Sequence, residues 1–440
     1  MSIAQVVDEL PADASAEKSA LSRIVWASVL GTVIEWYDFL IYGTAAALVF
    51  NKLFFPTLDP LAGTLAAFGA YAVGFVARPL GGAIFGHFGD KLGRKAMLTA
   101  TMMIMGVGTF LIGCLPTYPQ IGIWAPVLLI ALRLLQGIGV GGEWGGAVLM
   151  VIEHAPAHKR GFYGSLVQIG FPAGIAGSTA TFLLLSSLPE ADFLSWGWRL
   201  PFLVSALLVG VGLFIRLRLA ETPVFAKVKE EKTVADRPLV ELWSGYRKAL
   251  LISIGLKVSE VAWVYILTVF SIVYATGRLE LSKTLILNAI LVAAVLEFAT
   301  IPLFGWLSDK IGRRTMYIGG ALISAVCAFA VFPLLDTKNP TIVVVSIAII
   351  VSLTHAVMFA PQAAFLPELF GTRTRYSGAS IGCQISAAIS GGLAPIIATG
   401  LLGMTGKTTP ISIYLVILAA ITLVSALASV ETKNSDLSRN

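Results

Sequence analysis

Long apolar runs, most of them near or above twenty residues, follow one another from residue 23 to residue 430, broken only by short clusters of charge, proline or glycine. A bilayer's hydrocarbon core of ~30 Å takes about 20 apolar residues of helix. On that measure twelve spans emerge: 23–50, 61–88, 96–115, 121–152, 162–187, 197–219, 247–276, 283–307, 315–335, 340–369, 375–403 and 409–430. Several exceed the minimum, which implies tilt or extension beyond the bilayer. The expected organisation is an N-terminal tail over 1–22, a six-helix bundle over 23–219, a linker over 220–246, a second six-helix bundle over 247–430 and a tail over 431–440. The linker's mixed charges, among them Lys227, Glu230, Glu231 and Asp236, suit either a surface helix or a loose connection.

Composition agrees with this pattern: 57% of residues are hydrophobic and 13% charged, against about 25% charged in soluble domains. The net charge of +6 does not indicate a nucleic-acid partner, because the basic residues sit between the apolar runs, where they set orientation. With the N-terminus inside, 22 of the 31 Lys and Arg lie on the inner side, six on the outer side and three within spans. Both termini are therefore expected in the cytoplasm, with the chain multi-pass in a bacterial-type inner membrane. Residues 1–20 have no basic n-region or small-residue cleavage site, so the first run reads as an uncleaved span. Cys114, Cys327 and Cys383 all fall inside apolar runs, which disfavours disulfides and zinc.

Two copies of one phrase lie 219 positions apart: Gly86-His-Phe-Gly-Asp90-Lys-Leu-Gly93-Arg94-Lys95 and Gly305-Trp-Leu-Ser-Asp309-Lys-Ile-Gly312-Arg313-Arg314. Each closes one apolar run and precedes another, so each reads as a short charged turn between two membrane helices. Gly86 and Gly305 allow close backbone approach, Gly93 and Gly312 permit positive φ, and Asp90 and Asp309 can pair with basic groups such as Arg94 and Arg313 or with a helix N-terminus. A second repeat, Glu153 to Arg160 and Glu368 to Arg375, places Glu and Arg seven apart at the inner ends of spans 4 and 10. It reads either as a charged latch or as a topology signal.

Eight ionisable side chains fall well inside the runs: Glu35, Asp38, Arg78, Arg133, Glu143, Lys257, Glu260 and Glu297. At ~2.5–3.5 kcal/mol each in mid-membrane, most must face a wet cavity or one another. Glu35, Asp38 and Tyr42 share one helical face, and two close carboxyls suit a proton carrier. Arg78 can hold an anion bidentately or pair with a span 1 acid. On span 4, glycines at 137, 141 and 145 permit close packing that could bring span 1 near, making Arg133 a counter-charge for Glu35 or Asp38. Gln136 and Glu143 lie on a neighbouring face. Lys257 and Glu260 are three apart and can pair, with Trp263 and Tyr265 beside them. His355 titrates in the useful range, although a histidine satisfied in a helix interface is the commoner case. Tyr37, Tyr42 and Gln168 could supply hydroxyl or amide contacts to a substrate.

The stretches Glu35-Trp-Tyr-Asp38-Phe, Arg78-Pro-Leu-Gly-Gly, Arg133-Leu-Leu-Gln-Gly, Gly141-Gly-Glu-Trp-Gly-Gly and Trp196-Gly-Trp-Arg199-Leu-Pro, with the doubled phrase, resemble the metabolite:proton symporter family of the major facilitator superfamily. The wording around Tyr42–Asn51 and Phe85–Asp90 is similar to its shikimate transporters. The resemblance implies an all-α membrane fold of twelve helices in two pseudo-symmetric six-helix bundles, with a central site alternately open to each side. It also implies uptake of a small organic acid with a proton. On that expectation the proton-coupling residues are Glu35, Asp38 and Arg133. The substrate-binding set is Tyr37, Tyr42, Arg78, Gln136, Glu143, Gln168, Lys257, Glu260 and Trp263. Gating falls to the doubled phrase and the Glu–Arg repeat. Export of a drug or metabolite is an alternative, although Gly164–Gly177 with Phe171-Pro172 matches the exporter pattern only partly. Osmolyte symport is another, disfavoured by the roughly ten polar residues after the last span. A receptor that moves nothing would bring an added cytoplasmic domain. No nucleotide loop, metal cluster or nucleophile–base arrangement points to an enzyme. The expected energy source is a proton gradient with no cofactor, and the chain is expected to work as a monomer.

Overall fold

The structure, a computed structural model, describes residues 14–92, 94–141, 144–218, 245–371, 374–433 and 435. Glu143, Gly93, most of the linker, the surroundings of Gly86, and the side chains of Asp90 and Arg94 lie outside what the structure describes. Among the described residues, ten helices are long and apolar enough to cross a membrane: α1 (Ser28–Leu53), α2 (Pro60–Phe85), α4 (Trp124–His154), α5 (Ala157–Leu185), α7 (Arg247–Arg278), α8 (Lys283–Ile311), α9 (Arg313–Asp336), α10 (Pro340–Glu368), α11 (Arg375–Thr405) and α12 (Thr409–Ala428). Two shorter apolar helices, α3 (Thr99–Cys114) and α6 (Gly197–Leu213), complete the twelve.

The helices begin where local chemistry allows. Asp59 accepts from the Leu61 and Ala62 amides ahead of α2, Asn339 from Thr341 and Ile342 ahead of α10, and Ser282 from Leu285 ahead of α8. Such side-chain acceptors satisfy amides that have no partner in the first turn. Pro60, Pro340 and Pro410 stand at first or second positions, where the missing N–H costs nothing.

Packing repeats between the halves. The pairs α1–α5, α2–α4, α3–α4 and α3–α6 recur as α7–α11, α8–α10, α9–α10 and α9–α12. The halves meet where α5 runs along α8 and the lower part of α10, and where α2 lies on α11. Internal π-helical turns occur at Ala46–Phe50 in α1, Ile266–Phe270 and Tyr274–Arg278 in α7, Ser352–Ala356 in α10 and Ala387–Gly392 in α11.

Two local expectations need correction. The second copy of the doubled phrase is not a loop: Gly305 to Ile311 continues α8, and Gly312, at φ 104°, makes the whole turn before α9. Helix persists because Asp309 and Arg313 satisfy each other across the joint at 2.7 Å, while Glu431 accepts from the Arg313 and Arg314 amides at 2.9 and 3.1 Å. Of the glycine stripe of α4, Gly137 and Gly141 pack on α2 and Gly145 on Ser380 of α11, not on α1. A Cβ at Gly137 would lie 2.1 Å from the Gly74 carbonyl, one at Gly141 2.0 Å from that of Arg78, and one at Gly81 1.9 Å from that of Ile138.

Replacing Gly81 by Val should therefore force α2 and α4 apart. Overpacking costs ~1–3 kcal/mol, or more where backbone opposes backbone. Loss of a monodisperse peak in size-exclusion, or a melting point lowered by several degrees, is expected; an unchanged melting point would show that the seam yields freely.

Candidate functional site

Midway through the bundle, between the halves, lies a cavity of about 30 Å³. Glu35 and Trp36 of α1, Arg78 of α2, Trp144 of α4 and Phe171 of α5 line it from the first half. Lys257, Glu260 and Tyr265 of α7, His355 and Phe359 of α10, and Cys383 and Gln384 of α11 line it from the second. The space suits about two waters. Ligand pockets for small molecules run to ~300–1,000 Å³, so the centre is contracted here.

In the first half, charge is met by rings. The Arg78 guanidinium carbon lies 3.9 Å from the Phe39 ring centre, 4.6 Å from Phe75 and 5.8 Å from Trp36. Its Nε and Nη2 are buried with no hydrogen-bond partner among the described residues. Arg133 lies 3.9 Å from the same Phe39, 4.4 Å from Tyr42 and 4.8 Å from Tyr71. It is not ion-paired with Glu35 or Asp38 among the described residues, because α4 docks on α2 and turns this guanidinium into the tyrosine cage. Arg133 Nη1 donates to Gln136 at 3.3 Å, and Gln136 donates to Thr109 of α3 at 2.6 Å. Asp38, buried beside Thr109, has neither oxygen hydrogen-bonded among the described residues.

In the second half, charge is met by charge. Lys257 donates to Glu260 Oε1 at 2.8 Å and to Gln362 at 2.9 Å, and Gln362 donates to the same Glu260 oxygen at 2.7 Å. His355 places Nδ1 2.6 Å from Glu297 Oε1 and Nε2 3.4 Å from Glu260 Oε2. All of these groups are buried.

Of the expected substrate contacts, Arg78, Lys257 and Glu260 line the cavity. Tyr37 is turned away: its hydroxyl donates to the Pro201 carbonyl of α6 at 3.2 Å. Tyr42 stacks on Tyr71, and Trp263 is wholly buried outside the lining. Gln168 accepts from Trp144 at 3.1 Å and donates to the Phe359 carbonyl at 3.2 Å, so it ties the halves together beside the cavity. The lining also includes Trp36, Trp144, Phe171, Phe359 and Gln384, none of which the sequence pattern assigns to a substrate. Trp36, Trp144 and Phe171 lie within the motif stretches quoted above, whereas Phe359 and Gln384 carry no sequence signal beyond their apolar or amide character in the runs.

At the end carrying the doubled phrase, contacts cross between halves. Asp309 accepts from the Gly161 and Phe162 amides in the first turn of α5 at 2.9 and 2.8 Å. Across the same joint Glu153 lies 3.9 Å from Arg375 and Arg160 donates to the Ser435 carbonyl, while Glu368 lies 3.6 Å from Arg313 within the second half. At the opposite end the halves part around a vestibule of about 530 Å³ bordered by Lys52, Arg278, Lys283 and Glu190. The hydrogen bond and charge of Lys52, 2.7 Å away, with Lys283 beyond, hold the Glu190 carboxyl below its ordinary range.

The family model described as Major Facilitator Superfamily matches residues 29–391 and 261–437. The chain is 41% identical over 434 residues to the shikimate transporter of Escherichia coli (strain K12), covering 98% of each. It is 42% identical to the inner membrane metabolite transport protein YhjE of the same organism, over 94% of this chain and 96% of that one. It is 35% identical to its proline/betaine transporter, over 95% and 85%. The fold is that of the proton:xylose symporter XylE bound to 6-bromo-6-deoxy-D-glucose, with a TM-score of 0.73 at 17% identity over 96% of this chain and 98% of that one. The partially occluded inward open form of XylE from E. coli gives 0.71 at 20% identity over 94% and 99%.

Asp309→Asn should loosen the latched end. Charge-assisted bonds contribute ~1.5–3 kcal/mol, so a thiol at Phe162→Cys, in a background without the three native cysteines, should be labelled about tenfold or more faster when Asp309 is neutralised. Equal labelling rates would reduce Asp309 to a topology signal.

Proposed function

The chain belongs to the Major Facilitator Superfamily, and we propose that within it this multi-pass membrane transporter is a proton-coupled symporter that takes up a small organic acid by alternating access. The substrate class is shikimate or a related mono- or dicarboxylate. The observation that carries this reading is the central cavity itself: it lies between the halves, faces Arg78 on one wall and Lys257 on the other, and two buried Arg78 nitrogens have no hydrogen-bond partner among the described residues. A carboxylate there accepts from the guanidinium fork in two parallel bonds. The excess of basic side chains around the vestibule draws anions toward that end.

The vestibule then faces outward and the latched end faces the cytoplasm, with the chain in a bacterial-type inner membrane, both termini cytoplasmic, and the bundles bounded at 23–219 and 247–430. Asp38 is the proton carrier of α1: burying an ionised carboxyl without a partner is costly, and a bound proton removes the charge. Arg133, Gln136 and Thr109 connect the tyrosine cage to its surroundings. Glu35, on the cavity wall, exchanges protons with the substrate path. The protein works as a monomer. A second reading, a zwitterionic osmolyte, has support in the walls of Trp36, Trp144, Phe171 and Phe359 beside both signs of charge and in the similarity to a proline/betaine transporter.

Proteoliposomes with an acid-outside pH gradient, offered shikimate, benzoate, 2-oxoglutarate, citrate and betaine, separate these readings. Accumulation of an acid that collapses with the gradient is expected; accumulation of betaine alone, or transport indifferent to the gradient, overturns the proposal. Arg78→Ala should weaken binding of the transported acid about tenfold to a hundredfold, from ~1.5–3 kcal/mol for one charge-assisted contact. Arg78→Lys should recover only part, since the fork is lost; affinity unchanged by Arg78→Ala would take this residue out of the site.

Asp38→Asn and Glu35→Gln should abolish accumulation while sparing substrate exchange across the membrane. If both variants accumulate the acid like the unaltered protein, α1 does not carry the proton.

A further inference from the structure

The second half contains a line of buried groups that the reading above uses only at one end. Glu297 of α8, His355 of α10, and Glu260 and Lys257 of α7 follow one another at 2.6, 3.4 and 2.8 Å. An ionised carboxylate only accepts hydrogen bonds, and a neutral imidazole has one donor and one acceptor nitrogen. A ring placed between two ionised carboxylates can satisfy both only when both nitrogens carry hydrogen. Take that proton away, and a lone pair faces Glu260 inside a line with a net negative charge. The line therefore has a place for one exchangeable proton.

Its position couples it to the cavity. His355, Glu260 and Lys257 all line the central space, so the ring is reached from there. The ring lies in the π-helical turn Ser352–Ala356, stacks 4.4 Å from Phe359, and meets Phe171 of the first half at 4.9 Å. A carboxylate that arrives at Lys257 competes with Glu260 for the same ammonium. Glu260, turned from the lysine, keeps Gln362 and the ring, and only the protonated ring offers it a positive partner. Acid binding and ring protonation then favour each other, and the coupling is reciprocal.

We propose that His355 is a proton-binding site of the second half, linked through Glu260 to the capture of a carboxylate by Lys257. This rests on the organic-acid reading and adds a second proton-linked site to that of α1. In the step itself an N–H bond forms at the ring as an O–H bond of a hydronium in the cavity breaks, and water remains. The groups that face the ring and its partners are Glu297 from α8, Glu260 and Lys257 from α7, Tyr317 from α9 and Cys383 from α11, with Glu35 and Arg78 across the cavity.

The test uses the full chain in detergent micelles with ¹⁵N-labelled histidine. Imidazole nitrogen shifts are followed from pH 5 to 9 without and with saturating shikimate, whose binding is read from the fluorescence of the cavity tryptophans. His355→Gln assigns the resonance by its loss; if that variant does not fold, Glu297→Gln assigns it by displacement. The expected result is a ring that changes between neutral and doubly protonated within this range, with the protonated fraction at fixed pH rising several-fold on adding shikimate. Lys257→Met should keep the titration and lose the response to shikimate. A ring that stays in one state from pH 5 to 9, or a fraction that bound shikimate leaves unchanged, overturns the proposal. Should shikimate, benzoate and 2-oxoglutarate all fail to bind, the organic-acid reading falls, and so does the carboxylate coupling; a ring that still titrates then supports the proton site alone.

Discussion

A charged side chain in the hydrocarbon layer costs ~2.5–3.5 kcal/mol even on mild insertion scales, and a folded protein has only ~5–15 kcal/mol of net stability to set against such costs. The described intramembrane charges accordingly sit inside the bundle, and the two halves compensate them differently. The first half places Phe39 within 3.9 Å of both guanidiniums, with Tyr42, Tyr71, Phe75 and Trp36 around them. The second half lays out acids and bases in sequence at hydrogen-bonding or ion-pair distance. Rings attract a cation by ~0.5–2 kcal/mol but leave its charge and N–H donors in place. Arg78 is thus held in position and still able to donate, which is what the proposed hold on a carboxylate requires.

The same economy governs the joint between halves. Glycine seams such as α2–α4 are contacts of backbone on backbone within one half, and nothing in them can move a little. Contacts between halves at the latched end are side chains on helix ends: Asp309 on the first turn of α5 and Arg375 toward Glu153. Each is worth a few kcal/mol at most, and each can be made or broken without unpacking a helix. Rigid halves joined by separable polar contacts are what an alternating-access cycle requires.

The twelve spans, the halving and the turn at Gly312 were legible in the residues because each follows from local rules: run length, repeated phrases, a glycine where φ must be positive. The site was legible only in part. Helical spacing puts Glu35, Asp38 and Tyr42 on neighbouring positions, yet α1 is enclosed on nearly every side. Three different neighbours therefore receive them: the cavity, Thr109 and the Arg133 cage. Arg133 faces the tyrosine cage and not the α1 acids for a related reason. Glycine spacing announces that α4 packs closely against something, but the partner is decided by the whole bundle, and it is α2 at Gly137 and Gly141 and α11 at Gly145. Lys257 and Glu260 were readable because a pair three apart on one helix is a local matter; Glu297, His355 and Glu260 come from three helices, and no spacing announces them.

This division of labour has a consequence for how the two walls of the cavity respond to pH. An arginine stays charged at any pH a cell meets, so on the reading proposed above the grip of Arg78 on a carboxylate is nearly constant. The opposite wall is different in kind. Lys257 is already engaged by Glu260, and whether Glu260 can let go depends on what else it can bind. A constant hold on one side and a conditional hold on the other make binding possible without a proton and complete only with one. On that same reading, the asymmetry would let a single carboxylate dock first on the first half and then draw the second half onto itself, so that the cavity closes around it in a fixed order.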